Sequence, residues 1–109
     1  MSMSEKIIAK ELEPAFNYPV ETGDIYVYLM KTEVSKMAVI TFDDTSLEWA
    51  YAVQSFTTNS RYQVDALVDK AARNYYDGGD EANPFVELEQ DDEAMKKLYT
   101  IVAQFVKGE

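Results

Sequence analysis

The chain of 109 residues contains no cysteine and no histidine. Without cysteine it has no disulfide and no thiolate that acts as a nucleophile or binds zinc or an iron–sulfur cluster. Without histidine it has no imidazole to act as a base near neutral pH or as a metal ligand. The Ser-His-Asp and Cys-His arrangements and the HExxH zinc helix are therefore excluded. Lysine, tyrosine and carboxylate side chains remain, but no spacing singles out a catalytic pair, so we expect a protein that is not an enzyme.

Glycine and basic residues are also scarce. The 4 glycines form neither GxGxxG nor GxxxxGK[ST], and Gly78 and Gly79 are followed by Asp80 and Glu81, which repel a phosphate. The 10 Lys+Arg are outnumbered by 20 Asp+Glu, which gives a formal net charge of −10 at pH 7. Nucleic-acid binding requires clustered basic residues to neutralise phosphates. We therefore expect no cofactor and no direct contact with nucleic acid.

Long hydrophobic runs are missing as well. The longest apolar run is far shorter than the roughly 20 residues of a membrane-spanning helix, and the N-terminus lacks the apolar centre of a signal peptide. This pattern predicts a cytoplasmic protein without membrane contact. Hydrophobic residues still make up 47% of the chain and aromatic residues 13%, which is enough for a packed core. With no linker and no repeat, residues 1–109 are expected to form a single domain.

A period of two in the hydrophobic pattern predicts the strands. Asp24–Met30 alternates as a central strand, and Lys36–Phe42 follows after a short polar stretch, so the two are expected to form an antiparallel hairpin. Leu47–Phe56 alternates again and predicts a third strand. One face of this strand carries Leu47, Trp49, Tyr51 and Val53. A helix capped by Asp44 is the alternative for this last stretch.

Helical periodicity dominates the second half. Arg61–Tyr76 carries apolar residues at i, i+3, i+4 and i+7, and a final helix begins at Asp91 or Asp92. Ser4–Leu12 favours a short additional helix. Residues 14–23 are interpreted as extended or irregular chain, and Phe85–Glu89 as a short edge strand. The predicted fold class is α+β: an antiparallel sheet of three or four strands with two amphipathic helices packed on one face.

The acidic residues are concentrated in one window. Between residues 77 and 93 there are eight carboxylates and no lysine or arginine, whereas the other 92 residues hold 12 acidic and 10 basic side chains. Clustering of this kind costs stability through like-charge repulsion, so it is typical of a surface that attracts a basic partner. The predicted partner-binding residues are Asp77, Asp80, Glu81, Glu87, Glu89, Asp91, Asp92 and Glu93. The alternative is that these acids only solvate a loop and a helix end.

The strand predicted over Phe85–Glu89 fixes the spacing of two acids in this window. Glu87 and Glu89 on one side of a strand lie about 6.6 Å apart, and acids on the first turn of the next helix add a second row. Such an anionic ridge is comparable with the phosphates of duplex DNA, which rise by about 3.4 Å per nucleotide of a strand. The same acids do not predict a metal site, because an EF-hand loop begun at Asp77 lacks its acids and its glycine at the required positions.

Eight tyrosines are the second notable feature. Tyrosine combines a large contact area with a polar tip and is enriched at interfaces. We expect Tyr26, Tyr28 and Tyr51 either to complete the core or to form the interface of a homodimer.

These observations favour a small acidic interaction protein that inhibits a basic DNA- or RNA-binding partner by presenting DNA-like charge. In charge and size the chain is similar to the DNA-mimic proteins that phages and mobile elements encode against host proteins, although that class shares no sequence motif. Two alternatives remain open: an immunity protein or antitoxin that blocks a basic toxin, and an acidic dimeric chaperone or adaptor.

Overall fold

A computed structural model describes residues 13–57, 60–75 and 82–108. The chain forms an α+β fold in which helices pack on one face of a four-stranded antiparallel sheet. This confirms the predicted fold class, while the helix predicted over Ser4–Leu12 lies outside the described residues. The strands are β1 (Phe16–Val20), β2 (Gly23–Lys31), β3 (Lys36–Phe42) and β4 (Ala50–Phe56), and the described helices are α1 (Ser60–Tyr75), α2 (Pro84–Glu89) and α3 (Asp92–Lys107).

The β2–β3 hairpin forms where the alternation predicts it. Strands β1 to β4 are neighbours in chain order, with Val27 opposite Ile40 in the central pair. Val27 and Ile40 are fully buried and face the helices, because side chains opposite each other in an antiparallel pair lie on the same face.

Strand β1 confirms the extended alternative for part of residues 14–23. The stretch interpreted as extended or irregular chain contains a true edge strand, in which Phe16 pairs with Val27 and Pro19 with Asp24. A proline lacks the backbone N–H of the ladder and is therefore confined to edge strands and bulges. In the sequence, Pro19 argues against a regular strand. The sheet accommodates it because β1 is an edge strand.

Strand β4 is shorter than predicted, and its buried positions differ from the predicted alternation. It begins at Ala50, and the helix alternative is wrong, because residues 45–49 form an irregular loop. The register shifts between Ile40 and Thr41, and Ala52, not Val53, packs into the core. Val53 is 46% exposed and Trp49 is 67% exposed, so the face predicted to be buried points to solvent at these two positions.

The long helices follow the predicted periodicity. Helix α1 buries Val64, Leu67 and Val68, and helix α3 buries Leu98 and Val102. These side chains cover the helix-facing side of the sheet and form a continuous core with it.

The prediction of an edge strand over Phe85–Glu89 is wrong, because this segment belongs to helix α2. Asn83 is the N-cap, with its Oδ1 accepting a hydrogen bond of 3.0 Å from the Phe85 amide, and Pro84 occupies the first turn. Asparagine followed by proline is a helix-start signal that the short apolar run obscured. The Asn83 side chain also donates to the Ala72 carbonyl at 2.8 Å, which fixes α2 against α1.

Gly23 and Asp43 are packed tightly together at one end of the sheet. A β-carbon on Gly23 would lie 2.6 Å from the Asp43 carboxylate. That carboxylate accepts a hydrogen bond of 2.9 Å from the Asp24 amide. Asp43 itself has a φ of 56°, in the left-handed region that aspartate tolerates better than most residues.

Candidate functional site

The structure describes five of the eight predicted partner-binding acids. Asp77, Asp80 and Glu81 lie outside the described residues. The others occupy α2, the short connection after it and the first turn of α3. They are Glu87, Glu89, Asp91, Asp92 and Glu93.

These five acids do not form one row. On a helix with 3.6 residues per turn, positions two apart differ by about 200° in direction. Glu87 is exposed on the side of Tyr18 in β1, while Glu89 is half-buried and turned toward α1. The prediction that Glu87 and Glu89 stand side by side at strand spacing is therefore wrong.

Asp91 has a structural function. It is the N-cap of α3, where Oδ1 accepts a hydrogen bond of 3.1 Å from the Ala94 amide. Its Oδ2 accepts one of 2.8 Å from the Tyr18 hydroxyl. The hydrogen bonds from Ala94 and Tyr18 lower the pKa of Asp91, so it is a firmly ionised helix cap. Its use as a cap agrees with the sequence prediction.

Glu89 and Asp92 contribute to a groove between α1 and the start of α3, which we call the helix groove. Its volume is about 520 Å³. Seven residues from all three described helices line it: Arg61, Asp65, Glu89, Asp92, Met95, Lys96 and Tyr99.

Glu89 lies among both acidic and basic side chains in this groove, because Arg61 and Lys96 line it together with Asp65 and Asp92. Burial raises the pKa of Glu89, and the charges of Asp69 and Asp65 on α1 raise it further, while Arg73 lowers it. Arg73 forms an ion pair of 2.9 Å with Asp69, but both side chains are exposed, and such pairs stabilise a protein only weakly. A cation that enters the groove therefore reduces repulsion among carboxylates from two different helices.

Tyr99 forms the aromatic part of the groove. Its hydroxyl donates a hydrogen bond of 2.5 Å to Asp65, and the Arg61 guanidinium lies 4.6 Å from its ring centre. The hydrogen bond to Asp65 raises the pKa of Tyr99, burial adds to the rise, and Arg61 opposes it. The ring thus already stacks against one guanidinium, which is a favourable cation–π arrangement.

The remaining acids lie on the opposite side of α3. Glu93 and Asp91 line a second groove of about 370 Å³ beside Tyr18 and Pro19 of β1, together with Lys97. The described acids that line a groove therefore divide into two acidic borders around the α2–α3 junction, Glu89 with Asp92 and Asp91 with Glu93.

Asp65 and Asp69 are not among the predicted partner-binding residues. The apolar spacing of α1 indicates only that they lie outside its hydrophobic face. Their i, i+4 spacing was the available signal, because it places both carboxylates on one helix face. Only the packing of α2 against α1 shows that this face lies beside Glu89.

The tyrosines separate into two groups. Tyr51 lies on the helix side, where its ring centre is 5.3 Å from that of Phe85 and 5.6 Å from that of Tyr75. Tyr26 and Tyr28 lie on the opposite face of the sheet, 6.4 Å apart. Tyr28 is only 1% exposed. Tyr51 packs against the hydrophobic core, whereas Tyr28 is buried on the other face of the sheet, outside that core cluster. The choice between core and dimer interface stays a prediction for Tyr26 and Tyr28.

The geometry defines a small α+β protein with acidic grooves around its helices. Within the three described segments, no group of three or more carboxylates is arranged to hold a metal ion. Across the same residues, every helix is too short or too polar to cross a membrane. No family model matches the chain, and no curated protein or solved structure is similar to it.

Proposed function

We propose that this chain is a non-enzymatic binding protein that inhibits a basic DNA- or RNA-binding protein by occupying its nucleic-acid site. The helix groove and the acidic border beside β1 provide the contact surface. The protein acts in the cytoplasm and carries no cofactor.

The observation that carries the proposal is the helix groove, which is lined by an acid from each of the three described helices: Asp65, Glu89 and Asp92. Burial raises the pKa of Glu89, and the negative charges of Asp69 and Asp65 on α1 raise it further. Repulsion of this kind costs stability, and a positively charged partner relieves it on binding. The net charge of −10 extends this attraction over a longer range and accelerates encounter with a basic surface.

The helical geometry changes the form of the mimicry. Because Glu87 and Glu89 lie on a helix, they do not form the phosphate-like row expected from a strand. The proposal therefore depends on how many carboxylates the surface carries and where they lie. Binding of this type resembles the electrostatic part of DNA binding, which supplies most of the sequence-independent affinity of such proteins.

The two alternatives differ in their observable behaviour. An immunity protein or antitoxin binds one cognate toxin, whereas a charge mimic competes with DNA on proteins that share no sequence. A dimeric chaperone needs an accessible second sheet face, and the burial of Tyr28 on that face gives it little support.

The test is affinity capture on the immobilised full chain in low salt, followed by elution with duplex DNA. We expect basic nucleic-acid-binding proteins to be captured, released by DNA and lost steeply as salt increases. The variant D65N/E89Q/D92N removes three negative charges from the helix groove and should weaken capture at least tenfold.

The matched control is E13Q/E21Q/E33Q, which removes the same charge from exposed positions elsewhere. It should retain most of the binding. Equal loss of binding in both variants would mean that the groove acids contribute only through the overall negative charge of the protein. Capture of a single protein that DNA does not release would favour the immunity alternative.

A further inference from the structure

The face of the sheet opposite the helices carries a set of large apolar and aromatic side chains, which we call the second face. They come mainly from the two central strands and are Tyr26, Tyr28, Met30, Met37, Val39 and Val53. None of these six residues belongs to the core between the sheet and the helices. The helices therefore do not account for the burial of any of them.

The centre of the second face is nevertheless shielded from water. Tyr28 is 1% exposed and Val39 is 9% exposed, whereas Val53 on the edge strand β4 is 46% exposed. Within the described residues, the buried hydroxyl of Tyr28 has no hydrogen-bond partner. A hydroxyl without a partner is more stable in water than in a buried position, so burial of Tyr28 indicates that other atoms lie over the centre of this face.

The loop after β3 covers one end of the second face. The Thr41 hydroxyl donates a hydrogen bond of 2.8 Å to the Asp44 carbonyl, which holds the loop against the sheet. Burial raises the pKa of Tyr28, and the charge of Asp44 adds to the rise, so the loop lies on the same side as Tyr28. Val39 and Met37 lie further from this loop, toward the β2–β3 turn. That part of the face is left for another segment.

The chain that precedes β1 reaches the sheet beside the second face. The Ala15 amide donates a hydrogen bond of 2.8 Å to the carbonyl of Val27, which adjoins Tyr28 in β2. Residues 1–12 are therefore joined to the fold close to Tyr28. Twelve residues in helical conformation span about 18 Å, and the distance from β1 to β3 is about 10 Å. A segment of this length can cross three strands.

The composition of residues 1–12 suits such a position. Ile7, Ile8 and Leu12 lie on one side of the helix that the sequence predicts over Ser4–Leu12. The segment holds two acidic and two basic side chains, so the net charge of −10 belongs to residues 13–109. A second copy on this face would add that charge, and charges of one sign repel each other. The neutral N-terminal segment is therefore the favoured occupant.

We propose that residues 1–12 pack their apolar side chains on the second face of the same molecule and cover Tyr28 and Val39. The second face is then an internal interface and not the site of a homodimer or of an unfolded client. This inference goes beyond the proposed function, because it uses none of the helix-groove residues and holds whether or not that groove binds nucleic-acid-binding proteins.

Thiol protection tests the cover, because the chain has no cysteine of its own. In the full chain, Val39→Cys should react slowly with an aromatic disulfide reagent, and Val53→Cys at its exposed position should react rapidly. Adding I8N/L12N should raise the reaction rate of Val39→Cys by about tenfold or more, because the cover then opens more readily. The matched control K6Q/K10Q changes polar side chains of the same segment and should leave the rate unchanged.

A cysteine in the other core separates local uncovering from unfolding. Ala71→Cys is fully buried between the sheet and the helices and should stay protected when I8N/L12N is added. The proposal is overturned if Val39→Cys remains equally protected in I8N/L12N, because residues 1–12 are then not its cover. Protection of Val39→Cys that weakens on dilution also overturns it, because a second copy then covers the face.

A spin label on Ser4→Cys provides a measurement that keeps Ile8 and Leu12 in place, and it decides the matter if I8N/L12N unfolds the protein. The label should broaden the amide signals of Tyr28 and Val39 more strongly than that of Ala71. In a mixture of spin-labelled chain and isotope-enriched chain without label, the enriched chain should keep sharp signals. Broadening in this mixture would assign the cover to a second copy, and equal broadening of all three amides in the labelled chain would place the segment elsewhere. Either result rejects the proposal, and neither depends on the capture of nucleic-acid-binding proteins.

Discussion

The hydroxyl of Tyr18 in β1 donates a hydrogen bond of 2.8 Å to the carboxylate of Asp91, which caps α3. The two residues are 73 positions apart in sequence and connect the edge strand with the start of the last helix. One carboxylate therefore serves both the helix end and the contact between helix and sheet.

Replacing Tyr18 with Phe tests this connection. The variant should lower the free energy of unfolding by about 0.5–1.5 kcal/mol, the usual net contribution of one hydrogen bond, measured by urea denaturation at pH 7. Burial and the bond to Asp91 raise the pKa of Tyr18 to about 12. The contribution is thus complete below the ordinary value of 10 and is lost as the pH rises through about 12. Tyr62→Phe, at an exposed position on α1, is the control and should change little.

Glu89→Gln should stabilise the protein at pH 7. Burial and nearby Asp69 and Asp65 raise the pKa of Glu89, so the folded state favours its protonated form. Ionisation of Glu89 therefore lowers the free energy of unfolding. This loss of stability is absent below the ordinary pKa of 4.5 and develops as the pH rises through the raised value. We expect a gain of roughly 0.5 kcal/mol in urea denaturation at pH 7 that disappears near pH 4. A gain that persists at pH 4 would indicate a cause other than ionisation.

Phe85→Ala distinguishes helix α2 from the strand that the sequence predicted. Phe85 is fully buried and contacts Phe42, Tyr51 and Tyr75, so its truncation should cost about 3–5 kcal/mol. Val86→Ala, at a half-buried position, should cost less. A strand that exposes Glu87 and Glu89 also exposes Phe85 and buries Val86, and therefore predicts the reverse order. Thermal or urea denaturation of the two variants decides between these orders.

Asp44→Ala should release the loop that carries Trp49. The variant removes the acceptor of the Ser46 and Trp49 amide bonds, so the fluorescence anisotropy of Trp49 should fall while the far-UV spectrum stays unchanged. Because those bonds lower the pKa of Asp44, the ionised carboxylate stabilises the loop above its ordinary pKa of 3.8. In the wild-type protein this stabilisation is lost as the pH falls through the lowered value. Unchanged anisotropy in the variant would mean that strand β4, not Asp44, fixes the tryptophan.

Local patterns predicted most of the fold and little of the site. The β2–β3 hairpin, α1 and the Asp91 cap were predictable because period two, period 3.6 and capping are properties of neighbouring residues. Strand β1 was not, because its pairing partner and its position at the sheet edge decide its structure. Phe85–Glu89 is too short for periodicity to separate strand from helix.

The site depends on contacts between distant segments. The charge window was visible in the sequence, but its division into two borders follows from the helical turn of α2. Asp65 joins the groove only because α2 and α3 pack beside α1. Trp49 lies in the loop before β4, and the register shift beside Ile40 places Ala52, not Val53, in the core.

The close approach of Gly23 and Asp43 limits how this chain can vary. A methyl group at position 23 collides with a carboxylate that the Asp24 amide holds in place. An alanine at position 23 therefore requires the Asp43 carboxylate to turn away and give up its hydrogen bond from the Asp24 amide. The glycine thus keeps the β1–β2 turn connected to the end of β3.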